Sequence, residues 1–202
     1  MRRGGHPVCR PHASRRTCPP SGDSRALGSA AFWTFAVDQA HAAGLDQTAG
    51  RALLGVAGVT SILGIGAADL IRRLGAGRTF VLTALLEGAA IATVGLAPDQ
   101  VVAVLLAGAA YSTIVTVTVF WGTLIYVDRP SAGVATVAGG NAIGLLAGPL
   151  TGGIVADTIG LTAALLGGAT IILAAALLKP EGTSFPTSEM SSQVRLRAWR
   201  FA

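Results

Sequence analysis

Charge is scarce in this chain. Of its 202 residues only 12% are Asp, Glu, Lys or Arg, against about 25% in soluble domains. That shortage excludes an ordinary soluble globular protein. Aromatic residues are few as well, at 5%, so the apolar part is built mostly from Ala, Gly, Leu, Val and Thr. Cysteine occurs only at Cys9 and Cys18, in a polar N-terminal stretch that also holds His6 and His12. Their spacing matches no usual zinc pattern, and the apolar part has no disulfide. There is no His/Asp/Glu cluster with metal spacing, no serine in a nucleophile motif, and no glycine loop with a lysine for phosphate. The chain therefore does not read as an enzyme and implies no metal and no cofactor. Strict apolar–polar alternation over about ten residues is missing too, which excludes a β-barrel.

What is present is a series of long apolar runs. The chain is 51% hydrophobic, with a mean hydropathy of +0.61. An all-α integral membrane protein follows. Ala52–Ala68 runs between Arg51 and Asp69, and Thr79–Ala97 is interrupted once, by Glu87. Val101–Val127, Pro130–Ala156 and Thr158–Leu178 carry no charge except Asp157 between the last two. An earlier run, Ala26–Val37, has only 12 uncharged residues before Asp38 and His41. The expectation is five full-length transmembrane helices plus one short first helix, with spans at about 26–45, 51–70, 79–97, 101–127, 131–156 and 160–178.

Residues 1–25 are rich in Arg, Pro, Ser and Gly and have no apolar centre, so they are not a secretory signal. They read as a disordered basic tail, or as the product of a gene start misplaced within a longer protein. Residues 181–202 form a polar tail with Arg195, Arg197 and Arg200.

The net charge of +5 is a loop bias, not a nucleic-acid footprint. If the chain zigzags, one side receives Arg72, Arg73, Arg78, Arg129 and Lys179, and the other only Arg51 with Asp99 and Asp157. The positive-inside rule makes the first side cytoplasmic. Six spans then put both Arg-rich tails in the cytoplasm, with the chain multi-pass in the cell's inner (plasma) membrane.

The fifth of the six spans holds the densest pattern, Gly140 to Gly153. Gly140, Gly144, Gly148 and Gly152 recur every four residues, which on a helix makes one slightly drifting stripe. Such a stripe lets another backbone approach closely. Pro149 within it removes one helical hydrogen bond and predicts a local bend.

The form of that stretch, GxxxGPxxGG over Gly144, Gly148, Pro149, Gly152 and Gly153, resembles the helix-5 motif of major facilitator superfamily antiporters, found in looser form in helix 11. The loop Asp69, Arg72, Arg73, Gly75, Arg78 is similar to the superfamily's GxxxDRxGRR motif. Arg73, Gly75 and Arg78 fall in register, but Arg72 stands where the family has Asp. A generic close-packed glycine helix and a plain positive-inside loop are the simpler readings of the two stretches. Helix 4 of the family usually opens with an intramembrane Arg, which Val101–Val127 lacks, and the glycine helix is followed by one more span. Both fit the C-terminal half, helices 7 to 12.

The resemblance implies a six-helix half-bundle of a transporter. It would move a small-molecule substrate by proton-coupled alternating access in the lipid bilayer, with a second six-helix bundle or a second copy of the chain as partner. The glycine face would pack on that second bundle, and the loop arginines with Asp69 would latch the halves. The alternative is a truncated or small membrane protein without transport activity, acting through helix–helix association. Intramembrane polar residues are the site candidates. They are Asp38 near the outer end of the first span, Glu87 at mid-membrane, and Asn141 in the glycine helix. Tyr111, Thr118 and Trp121 lie roughly on one face of the fourth span. For Glu87 a hydrogen bond to a neighbouring Ser or Thr competes with a proton-coupling role.

Overall fold

The turns of this protein are short and each has a physical stop. In the computed structural model, residues 22–126 and 129–177 are described. Helix α1 is Gly22–Ala42. It ends in a turn at Gly44, whose φ of 92° suits glycine. Asp46 caps α2, Gln47–Thr60, by accepting from the Thr48 N–H at 3.0 Å. The chain tightens into a 3-10 segment, Ser61–Gly66, and continues as α3, Ala67–Leu74. Gly75, at φ 82°, breaks the rod before α4, Ala76–Leu96. Helix α5 is Val101–Ile125, and α6 is Pro130–Thr158 with Pro130 at its first turn. Gly160, at φ 122°, separates α6 from α7, Leu161–Leu177.

The fold among the described residues is all helix, with no strand. Helix α1 packs on α6 and α7, α4 packs on α5 and α7, and α5 packs on α6, α2 and the 3-10 segment. Short connections between packed neighbours make antiparallel hairpins. The core lies where α1, α4, α5 and α7 meet, and is filled by Phe32, Phe80, Ile91, Val94, Ile114, Val117, Leu165 and Ile172. Helix α4 shows how the packing is made. Thr83 and Ala84, Glu87 and Gly88, and Ile91 and Val94 face inward, while Leu82, Leu85 and Leu86 are exposed. A helix apolar on its outer face as well suits lipid, not water.

Four stretches are long and apolar enough to cross a membrane: Gln47–Leu74, Ala76–Leu96, Val101–Thr123 and Pro130–Thr158. Five were expected. The last, α7, is apolar but has 17 described residues, because Gly160 delays its start and residues beyond 177 lie outside the description. The expectation of a short first helix is corrected in the other direction. Helix α1 has 21 residues and begins at Gly22, inside the expected tail. Its charged Arg25 is accommodated because it finds partners in the bundle. The second span is not a uniform helix, since the 3-10 segment interrupts it. The rest of the expected N-terminal tail, and the whole C-terminal tail, lie outside the described residues.

Candidate functional site

Glu87, Tyr111 and Asn141 each stand near the middle of their helices, α4, α5 and α6. Packing brings all three around one side chain of α1, Arg25. Arg25 is 2% exposed and Glu87 1%. Arg25 Nη2 donates to Asn141 Oδ1 at 3.2 Å. Arg25 Nη1 lies 3.9 Å from Glu87 Oε2, an ion pair without a hydrogen bond. The Ser29 hydroxyl donates to Glu87 Oε1 at 2.5 Å and also reaches the Arg25 carbonyl oxygen at 3.1 Å, one turn back. The guanidinium sits 6.0 Å from the Tyr111 ring centre, at the outer reach of a cation–π contact. Tyr111 meets Trp33 edge-on, with ring centres 5.5 Å apart.

The sequence explains why this centre forms. Ser29 is one turn after Arg25, so both occupy one face of α1. Glu87 is the lone charge within the apolar part of α4, and a charge buried there must find an opposite charge. The pair is neutral as a unit, yet not closed. Arg25 Nε and Nη1 and Glu87 Oε2 are buried without a hydrogen-bond partner. Asn141, Tyr111 and Trp33 are only half-buried, so the sealed pair is bordered by polar and aromatic groups that reach the bundle surface. Chemically, the arrangement offers a fixed cation, a carboxylate able to carry a proton, and an amide and phenol that can bond a ligand.

The remaining candidates lie elsewhere. Asp38 is exposed on α1, away from this centre. Thr118 is buried and bonds back to the Ile114 and Val115 carbonyls of its own helix. Trp121 is buried edge-on against Phe80 of α4, with ring centres 6.2 Å apart. So Tyr111 and Trp121, expected to share one face, serve different neighbours. Asp69 pairs with Arg72 at 2.5 Å and Arg73 at 2.6 Å, all three within α3. These are i,i+3 and i,i+4 pairs on the helix surface. The expected carboxylate–arginine latch is thus a local contact in this chain, because one helix presents all three groups on adjacent turns. Arg78 is exposed at the start of α4.

The glycine stripe is also corrected. Gly144 and Gly148 are buried, and Gly140, Pro149, Gly152 and Gly153 half-buried. Gly148 sits against Ala30 and the Leu27 carbonyl of α1, and a side chain at Gly152 would meet Phe35. At Gly148 and Gly152 the stripe seats the chain's own first helix, while a side chain at Gly153 would meet nothing within 4 Å. Glycine spacing shows that a backbone comes close, but not which one.

Sequence reasoning missed Arg25 and Ser29, having placed Arg25 in the tail. Two signals could have found Arg25. The 12-residue run after it is too short to cross about 30 Å of hydrocarbon, so the helix must extend backward. Glu87 also lacked a cation. Among the described residues no group of three or more His, Cys, Asp or Glu could hold a metal ion. An apolar pocket bounded by Ala36, Ala40, Leu54, Val94 and Val104 offers no polar group to recognise a substrate. No protein-family model, curated protein or solved structure matches this chain.

Proposed function

We propose that this chain is a transport module of the major facilitator type, a six-helix half that moves a small molecule across the inner (plasma) membrane with both termini cytoplasmic. The observation that carries the reading is the Arg25–Glu87 pair, sealed in an apolar helical bundle with Tyr111 and Asn141 at its edge. Ionisable residues inside such bundles are costly and mark transport pathways and proton relays. Transporter sites of this kind lie near the bilayer midplane, which suits residues at the centres of α4, α5 and α6. Glu87 is the proton-coupling carboxylate. A second bundle, or a second copy, completes the transport path on the side of Trp33, Tyr111 and Asn141.

A second reading is a small membrane protein that acts by helix association and transports nothing. It is favoured by one observation: the glycine stripe, expected to dock a partner bundle, is occupied by α1. Reconstitution separates the two. The purified chain in proteoliposomes, under an imposed pH gradient, is tested with a panel of fluorescent organic cations and labelled organic acids. Crosslinking in native membranes runs in parallel. Transport requires gradient-driven movement of a probe, abolished in Glu87→Gln, and a crosslinked partner. A lone monomer with no moving probe overturns it.

A further inference from the structure

A purely structural ion pair would close its valences, because open buried donors and acceptors are costly. This one does not. Arg25 and Glu87 approach to 3.9 Å with no hydrogen bond between them. Arg25 keeps Nε and Nη1 unpartnered, and Glu87 keeps Oε2 unpartnered, all of them buried. Only one guanidinium nitrogen, Nη2, makes a hydrogen bond, and its acceptor is a neutral amide on α6.

We infer that Arg25 is the recognition group for a small carboxylate-bearing anion, and that Glu87 takes up one proton as that anion binds. This deepens the transport reading and rests on it. The argument is charge balance. A guanidinium stays protonated, and the bundle interior tolerates little net charge. One negative charge must therefore face Arg25 at all times, and without ligand Glu87 supplies it. A bound carboxylate brings a second negative charge, and neutrality returns only when Glu87 is protonated. The proton comes from water on the side the centre faces and binds a Glu87 carboxylate oxygen. It returns to water on the other side when the anion leaves, and no other bond forms or breaks. A cationic ligand would be repelled by Arg25, and a neutral one would have no reason to take a proton with it.

Among the residues whose side chains are described, no neighbouring group supplies the balance instead. On α1, Asp38 and His41 are exposed. On α3, Asp69 is engaged with Arg72 and Arg73, and on α4 Arg78 is exposed. Tyr111 of α5 presents its ring to Arg25. On α6, Asn141 is neutral and Arg129 and Asp157 are exposed near the helix ends. The described residues of α7 carry no titratable side chain. Asn141 and Tyr111, half-buried, form the edge through which a carboxylate reaches Arg25 and can donate to it.

The test measures binding of gluconate, benzoate and lactate to the full chain in lipid nanodiscs by isothermal titration, from about pH 5 to about pH 8. One proton taken up per anion tightens binding about tenfold for each unit of pH lowered, above the Glu87 midpoint. Glu87→Gln, neutral at every pH, binds as the wild type does at low pH and loses the pH dependence. The double variant R25Q/E87Q keeps the centre neutral, so it folds, and it loses carboxylate binding throughout. Wild-type affinity that is independent of pH, binding retained in folded R25Q/E87Q, or no carboxylate bound at any pH each overturns the inference. If ethidium crosses proteoliposomes under a pH gradient while no carboxylate binds, transport stands and the anion assignment falls. If carboxylates bind as described and nothing crosses, transport falls and the binding site stands.

Discussion

Gly28 of α1 and Gly168 of α7 lie backbone against backbone. A Cβ on Gly28 would come within 2.5 Å of the Gly168 carbonyl oxygen, and one on Gly168 within 2.7 Å of the Gly28 carbonyl oxygen. Neither atom can give way, since both obstacles are main chain. The same helix, α1, carries Arg25 and Ser29 on its way to α4 and α6. The close approach of α1 to α7 therefore sets where the charged centre sits.

A side chain at this crossing separates the two helices. Gly28→Val should lower the melting temperature in detergent strongly, as overpacking costs about 1–3 kcal/mol or more where neighbours cannot move. Gly139→Ala, where nothing lies within 4 Å of the added carbon, should be neutral or slightly stabilising. Equal melting of Gly28→Val and wild type, followed by a fluorescent fusion during heating, would contradict the backbone contact.

Removing one partner of the buried pair should cost more than removing both. Glu87→Ala or Arg25→Ala leaves an uncompensated charge and should destabilise by about 3–5 kcal/mol. R25M/E87L should come close to wild type in stability, because two apolar chains of similar bulk replace two opposed charges. A thermodynamic cycle in which the single losses simply add would show that the two groups do not interact.

The seat of Gly148 on Ala30 can be tested by compensation. Gly148→Ala should destabilise the chain, and adding Ala30→Gly should recover part of the loss. Recovery is partial because a Cβ at residue 148 also meets the Leu27 carbonyl at 2.9 Å. Thermal melts of the single and double variants decide it, and a double variant no more stable than Gly148→Ala would contradict the contact.

Asp46 should make the start of α2 sensitive to acid. Its hydrogen bond with Thr48 holds the carboxyl below its ordinary value of 3.8. A depressed folded value means the contribution is present above the unfolded value and is lost as pH falls through the folded one. Asp46→Ala should melt earlier than wild type at neutral pH, and the gap should close as the pH drops below 3.8. Circular dichroism melts across that range decide it; a gap that widens in acid would reverse the assignment.

Much of the helical layout was legible beforehand. Val101–Val127 was read from its unbroken apolar run, and the helix covers Val101–Ile125. Pro130–Ala156 became Pro130–Thr158, bounded by a proline and later by Gly160. Such runs are local signals, and helix formation in an apolar chain follows from the backbone's need to satisfy its own hydrogen bonds. The candidate site was legible in part. Glu87, Tyr111 and Asn141 stood out as polar residues in apolar runs. Arg25 did not, because a charge at the edge of an apolar run looks like a loop residue until its counter-charge is known.

The sequence by itself determined an apolar, helical chain with glycine and polar residues at helical spacing. Tertiary structure alone decided their partners. Gly148 faces Ala30 of α1, Asp69 turns to its own helix, and Arg25 lies within reach of Glu87 across 62 positions of chain. The reason is range. Hydropathy and periodicity act over a few turns, whereas an ion pair or a glycine contact depends on which helices lie side by side, and packing of the whole bundle settles that.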